Sequence, residues 1–225
     1  MNAEESILSI DVGTSFVKAA LMGRDLKIRH LSRVSCPSQD LGEGRVEIDA
    51  ISVMAALDNA VSLTLASQAG GICGISLATQ RSTALAWNPR TGEPVHPALS
   101  WQDSRTSPVI QKLQRHEAKV ERKTGLRLSP HYAAPKISWI LDQNLAWRRS
   151  AEKGGLRAGT ISSFLISRLL AGPHLQDHTN GQRTLLLNLR TLDWDPWLLR
   201  LFRVPRACLG NLIPASGNLG RVRRW

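Results

Sequence analysis

Ile7-Leu-Ser-Ile-Asp11-Val-Gly13-Thr14-Ser15-Phe-Val-Lys18-Ala-Ala-Leu21 decides how the rest of the chain is read. An apolar run leads into Asp11, a Gly-Thr-Ser turn follows, and a second β-prone run, Phe16 to Met22, leads away. The pattern predicts a β-hairpin with an exposed polar loop. Gly13 lets the backbone approach a ligand closely. Thr14 and Ser15 offer hydroxyls and backbone N–H donors that suit phosphate oxygens. Asp11, at a strand end, can hold a hydrated Mg²⁺, because that ion keeps its waters and needs only one or two carboxylates. Lys18 adds a point charge. An ordinary hairpin turn uses the same residue types, so the loop needs support from elsewhere.

Outward from the hairpin, strands are expected at Ile7–Ile10, Phe16–Met22 and about 28–36. The segment 42–49 reads as a loop ending in a helix N-cap at Asp49. Val53, Leu57, Ala60, Val61 and Leu65 then recur at helical spacing, which predicts a helix over about 50–68, stopped by Gly70-Gly71. Ile72–Ala78 reads as a buried strand, with Gln80-Arg81-Ser82-Thr83 at its end and another strand at Ala84–Trp87. Asn88 to Gly92 is a turn. Residues 97–105 form a short extended piece ending in polar groups, and a polar helix is expected over 107–122. Further helices are expected at Pro135–Gln143, Ser162–Leu170 and Pro196–Phe202, with strands at Arg157–Thr160 and 184–189 and a turn at 193–195. Three opening strands followed by alternating strands and helices predict an α/β fold with a mixed sheet. The polar clusters Asp11–Ser15, Gln80–Thr83 and Trp101–Arg105 all follow apolar runs, where open α/β sheets bind ligands.

Composition narrows the classes. The chain has 225 residues, 42% of them hydrophobic, enough for a sizeable core. Its net charge is +11, but basic residues are spread along the chain and mixed with acids. The densest run is Arg221-Val-Arg223-Arg224, and no DNA- or RNA-binding motif accompanies it. A nucleic-acid partner is therefore disfavoured. The three cysteines, Cys36, Cys73 and Cys208, form no CxxC pair, which argues against a disulfide framework or thiolate zinc site and fits a reducing compartment. His174 and His178 have i, i+4 spacing but follow Gly172-Pro173 in a segment that does not read as helix, so no metal site is expected there. The opening residues lack the features of a signal peptide, and no stretch approaches the roughly 20 apolar residues of a membrane helix. A cytoplasmic location without membrane contact is expected.

Several motifs in register carry a resemblance. Asp11-Val-Gly-Thr14-Ser is similar to the first phosphate motif of the actin and hexokinase superfamily. Gly44-Arg-Val-Glu47-Ile-Asp49, Gln80-Arg81-Ser-Thr83, Trp87, Thr91-Gly92-Glu-Pro94 and Ser100-Trp101-Gln102-Asp103-Ser-Arg105-Thr106 keep one order and spacing. So do Lys136-Ile-Ser-Trp139-Ile-Leu-Asp142, Asp177-His-Thr179-Asn180-Gly-Gln-Arg183-Thr and Asn188-Leu-Arg-Thr-Leu192-Asp193-Trp194-Asp195. Together they resemble the amino-terminal domain of the FGGY carbohydrate kinases, on the glycerol kinase side and with xylulokinases as further kin. The resemblance implies a ribonuclease-H-like lobe, with residues 1–225 forming one substrate-binding domain. It also implies ATP- and Mg²⁺-dependent phosphoryl transfer to a hydroxyl of a small sugar or polyol.

Residue by residue, the resemblance implies that Asp11 serves the metal and the transferring phosphate, with Gly13, Thr14, Ser15 and Lys18 around the phosphate. Substrate contacts would come from Gln80, Arg81, Ser82, Trp101, Asp103, His131 and Tyr132. Arg81 would bond hydroxyls and Trp101 would pack on the carbon chain. Read without the resemblance, Arg81 is a surface arginine and Trp101 a core residue. Trp87, Trp139, Trp194 and Trp197 read as packing, and Asp193 and Asp195 as turn residues. Two departures stand out. The glycerol kinases carry an acidic residue where this chain has Ser82, and an aromatic one where it has His131. Tyr132 could substitute, and a longer polyol or a ketose fits as well as glycerol. In the family, the general-base Asp follows the region of Ile213-Pro214 and Leu219-Gly220, and a second lobe supplies most nucleotide contacts. The sequence ends before both, so it reads as a fragment or truncated product with little turnover of its own, since general-base catalysis is worth about 10²–10⁴-fold. Such a lobe is expected to expose apolar area and self-associate. A non-catalytic sugar or nucleotide sensor and a basic nucleic-acid module are the other readings.

Overall fold

The computed structural model describes residues 5–66, 70–222 and 224–225. In chain order the elements are β1 (Ser6–Val12), β2 (Phe16–Met22), β3 (Ile28–Ser35), β4 (Gln39–Asp40), β5 (Val46–Ile48), α1 (Ala50–Leu65), β6 (Ile72–Thr79), β7 (Ala84–Trp87), β8 (Ala98–Leu99), α2 (Ser107–Leu113), α3 (Glu117–Thr124), α4 (Ala133–Asp142), α5 (Leu145–Glu152), β9 (Arg157–Thr160), α6 (Ile161–Leu169), β10 (Leu175–Asp177), α7 (His178–Gln182), β11 (Leu187–Asn188), β12 (Asp193–Trp194), α8 (Pro196–Phe202) and β13 (Asn211–Ile213). They divide into two compact units: residues 1–38 with 48–80, and residues 39–47 with 81–225.

The first unit is a four-stranded mixed sheet in the order β3-β2-β1-β6, antiparallel except for the parallel pair β1–β6. The period of two in β1 and β2 sends Leu8, Ile10, Val12, Val17, Ala19 and Leu21 inward. The helix α1 covers this face. Asp49 caps it, accepting from the Ile51 N–H at 3.0 Å and from the Ser52 hydroxyl at 2.6 Å. The stripe Val53, Leu57, Ala60 and Val61 is buried, and the Thr64 hydroxyl donates to the Ala19 carbonyl at 3.0 Å, tying the helix to β2. The helix is described as far as Leu65; the expected extension over 67–68 lies outside the described residues. β6 corrects the expectation of a buried strand. It is the outer neighbour of β1, while α1 packs on β2 and β3, so its residues are exposed or only partly buried.

The second unit contains a five-stranded sheet in the order β4-β5-β8-β7-β9, with small sheets pairing β10 with β13 and β11 with β12. Its core centres on α4, whose Ala133, Ala134, Ile137, Ile140 and Leu141 are all fully buried against β7, β9, α5 and α8. Three expectations give way here. The polar helix over 107–122 is broken at Gln114–His116 by a 3₁₀ turn into α2, which buries Ile110, and α3, which buries Val120. The strand expected over 184–189 shrinks to β11. The Thr184 hydroxyl donates to the Gly181 carbonyl and accepts from the Leu186 N–H, forming a turn that buries Leu185, Leu186 and Leu187. Residues 193–194 are not a bare turn but the partner strand of β11. Two helices escaped the sequence pattern: α5 has only Arg148 and Ala151 buried, and α7 is too short to show a period. Their caps, Asn144 and Asp177, were the available signal.

Asp195 is more than a turn residue. It caps α8 through the N–H groups of Trp197 and Leu198, and it accepts from Lys123 Nζ at 2.6 Å and Asn188 Nδ2 at 2.9 Å. Burial would raise its pKa, but those hydrogen bonds hold it below the ordinary value. His174 packs edge-on against Trp87, with ring centroids 5.0 Å apart; burial, with Arg157 and Arg206 nearby, pushes its pKa down to about 3. Asp195→Ala is expected to cost about 3 kcal/mol in urea unfolding at unchanged m-value, from the lost cap and the unpaired Lys123, with Asp195→Asn losing less. Because His174 is neutral when folded and protonated when unfolded between about pH 6.5 and 3, it should make stability fall as pH drops through that window. Thermal melts of His174→Asn should show a shallower fall.

Candidate functional site

The hairpin loop between β1 and β2 is built as its sequence predicts. Asp11 pairs with Lys18 in the sheet register, and Lys18 Nζ sits 3.3 Å from Asp11 Oδ2 with both side chains about half exposed. The Gly13 N–H donates to the Phe16 carbonyl at 2.9 Å and closes the turn. A Cβ on Gly13 would press within 3.2 Å of that carbonyl. Thr14 is partly exposed and Ser15 exposed; the Ser15 carbonyl accepts from the Cys36 N–H, which anchors the loop to the end of β3. Gln80 belongs with this loop: its N–H donates to the Val12 carbonyl at 2.7 Å and its amide to the Gly13 carbonyl at 3.2 Å. One accessible carboxylate, two hydroxyls, a tight glycine turn and a lysine fit a hydrated Mg²⁺ and a phosphate chain. Among the described residues no group of three or more His, Cys, Asp and Glu side chains could hold a metal ion, so any metal here would keep most of its waters.

The second unit gathers the remaining residues. Trp101 and His131 have ring centroids 5.5 Å apart, and His131 and Tyr132 are edge-on at 5.1 Å. The Trp101 N–H donates to the Thr83 hydroxyl at 3.1 Å. Ser82 is buried at a φ of +67°, a left-handed conformation that costs a non-glycine residue of order 1 kcal/mol. Its hydroxyl donates to the Arg183 carbonyl at 3.4 Å. Arg81 is exposed beside it.

Two buried polar networks hold this cluster. Asp103, 1% exposed, accepts from the Val46 N–H at 2.7 Å and from Arg105 Nε at 2.9 Å; Arg105 Nη2 reaches Glu47 Oε1 at 2.8 Å and its guanidinium lies over the Trp139 ring. Asp103 is thus consumed by braces between 44–47 and 100–105. Gly44 belongs to the same brace: at φ +72° it leaves room for Ser104, whose N–H donates to its carbonyl. The second network is Lys136, with no exposed surface. Its ammonium donates to the Ser100 carbonyl at 2.6 Å and the His131 carbonyl at 2.9 Å. Burial pushes its pKa down to about 7, Asp103 opposing and Arg105 adding to the fall. Burial together with Lys136, Arg183 and Arg81 pushes His131 to about 4, so the ring is neutral near pH 7.

Sequence reasoning had named Lys136, Glu47, Arg105 and Arg183 only as parts of motifs and assigned them no site role. Arg183 lies over the Tyr132 ring with its Cζ 4.9 Å from the centroid. The Asp177–Thr184 motif was the signal for it, because Asp177 caps α7 and the helix delivers Arg183 at its end.

With this geometry in hand, three comparisons bear on the chain. The family model for the amino-terminal domain of the FGGY family of carbohydrate kinases matches residues 6–224. A glycerol kinase of Gluconobacter oxydans is 39% identical over 99% of this chain and 44% of its own length, and one of Methylobacterium nodulans is 40% identical over 95% and 44%. The crystal structure of Plasmodium falciparum glycerol kinase with ADP superposes with a TM-score of 0.93 at 27% identity, covering 99% of this chain and 46% of that one. The chain thus spans somewhat under half the length of the relatives it matches. Its mixed α/β architecture is the fold of these kinases, and the chain belongs to the FGGY family of carbohydrate kinases, matching the family's amino-terminal domain.

Proposed function

We propose that residues 1–225 form the substrate-binding domain of an ATP- and Mg²⁺-dependent kinase that phosphorylates a hydroxyl of a small polyol or sugar. The observation that supports this most is the cluster of Trp101, His131 and Tyr132, with Arg183 over the Tyr132 ring and buried networks that hold its backbone. A polyol has apolar C–H edges and polar rims, which suit a tryptophan face beside a guanidinium. Mg-ATP, when bound, supplies the phosphoryl group and neutralises its charge. The chain's own residues do the rest. Asp11 would hold the metal's water shell and the Thr14 and Ser15 donors with Lys18 would receive phosphate oxygens, while Gln80 keeps the Gly13 turn in shape. Arg81 and Trp101 orient the acceptor. Lys136 fixes the backbone on both sides of that pocket, at Ser100 and His131. Catalysis of this kind is positioning and charge neutralisation. A cytoplasmic location goes with the reading; among the described residues no helix is long and apolar enough to cross a membrane.

Calorimetry with glycerol, longer polyols and ketoses tests the reading on the 225-residue chain. At least one member of this panel should bind, and Arg81→Ala or Trp101→Ala should weaken it about tenfold or more. Absence of binding across the panel would overturn the substrate site. ADP release with Mg-ATP should stay at the level of an Asp11→Ala control, because in the resembled family the general base lies past Leu219-Gly220; substrate-dependent turnover lost in that control would show that these residues suffice. Lys136 gives a pH signature. Its folded pKa lies below its unfolded one, so stability should rise as pH increases from about 7 toward 10.5. Chemical denaturation of Lys136→Met should lack that rise and show lower stability at pH 8, with two buried carbonyls left without their donor.

A further inference from the structure

We infer that the cleft between α5 and α8 is a second ligand site, one that takes an amphipathic organic anion: an aliphatic or aromatic body carrying a phosphate or carboxylate head. None of its lining residues belongs to the hairpin loop or to the Trp101 cluster.

The cleft has a volume of about 420 Å³ and lies wholly within the second unit, between α5, α8 and the segment 203–206. That volume suits a small molecule. Its apolar lining comes from Leu199 and Val204, both buried, and from Pro196 and Pro205. Its charge comes from four arginines, Arg148, Arg200, Arg203 and Arg206, against one glutamate, Glu152.

The local fold gathers these arginines. Arg203 ends α8 in the left-handed conformation, at φ +54°, and the Val204 N–H donates back to the Leu199 carbonyl at 2.9 Å. The reversal brings Arg200, Arg203 and Arg206, three residues apart, onto one cleft. Arg148 fixes the frame. It is buried, donates to the Ser138 carbonyl at 3.0 Å and to the Arg203 carbonyl, and pairs with Asp142 at 2.8 Å. Asp142 also lies 3.3 Å from Arg203, so one carboxylate is shared by two guanidinium groups. Arg200, Arg206 and Glu152 form no ion pair among the described residues. One hydrogen bond steers Arg206, from Nη1 to the Leu209 carbonyl at 3.1 Å.

Positive groups that outnumber their counter-charges around one cleft create a field that attracts an anion. Guanidinium forks match phosphate and carboxylate oxygens. The apolar lining gains only when a hydrophobic body covers it. A neutral molecule would meet the lining and leave the arginines unanswered, and a bare anion would do the reverse. A molecule with both parts answers both.

Calorimetry on the 225-residue chain compares octyl phosphate with 1-octanol, and 1-naphthyl phosphate with 1-naphthol, beside inorganic phosphate. The two bodies distinguish an aliphatic from an aromatic source. At least one organic phosphate should bind about tenfold or more tightly than its alcohol and than inorganic phosphate. Arg200→Gln and Arg206→Gln, both at exposed positions, should each weaken it about fivefold. The double variant should lose more, with polyol binding unchanged. An alcohol that binds as tightly as its phosphate would reduce the cleft to an apolar patch and overturn the inference. Inorganic phosphate binding as tightly would reduce it to a simple anion site, with the same result. Undiminished binding in the double variant would place the ligand elsewhere, and no binding by either organic phosphate would remove the site; both outcomes overturn the inference and leave the acceptor reading standing.

Discussion

A single buried ammonium holds the candidate acceptor pocket together. Lys136 lies in the first half of α4 with no surface exposed, and its two hydrogen bonds end on the carbonyls of Ser100 and His131. Those residues sit in different loops, one leading to Trp101 and the other to Tyr132. Without the ammonium, two buried carbonyls would lose their donor and nothing equivalent would fix the spacing of the two aromatic groups. The bond is possible because eight of the ten residues of α4 are buried, so the helix is a rigid platform from which a long side chain can reach. The cost of burying the charge appears as the lowered pKa, softened by Asp103.

The Asp103–Arg105–Glu47 brace does the complementary task. It ties the short β5 strand and the Gly44 turn to the loop that carries Trp101. A motif spread over 44–49 and 100–106 thus closes into one network, although its halves are far apart in sequence. Asp49, the last residue of the first half, does something unrelated: it caps α1 in the other unit. Motif residues that look equivalent on paper divide between bracing and capping once the chain is folded.

The hairpin loop depends on less. Its geometry follows from the register of β1 and β2 and from one glycine turn, which is why Asp11, Gly13, Thr14, Ser15 and Lys18 could be read from a short stretch. Gln80 could not be sorted by sequence. Its neighbours Arg81 and Ser82 belong to the second unit, while its own side chain bonds Gly13 in the first. The burial of β6 was also misread, because an apolar run announces a strand but not whether that strand lies at a sheet's edge.

Local rules, then, were enough for the elements whose information is local. The opening hairpin, the Asp49 cap with its helical stripe, and the apolar cores of α4 and α6 were set by period, capping and turn chemistry within a few residues. Tertiary structure alone decided three things. It broke the helix over 107–122 into α2 and α3 at a 3₁₀ turn, and it turned Asp195 from a turn residue into a four-way acceptor. It also set which charges in the pocket are balanced. Asp103 and Lys136 are both spent inside networks, while Arg183, arriving from α7, faces Tyr132 without a carboxylate partner among the described residues. Charge compensation depends on distances of a few ångströms between residues many positions apart, and no spacing in a linear sequence encodes them.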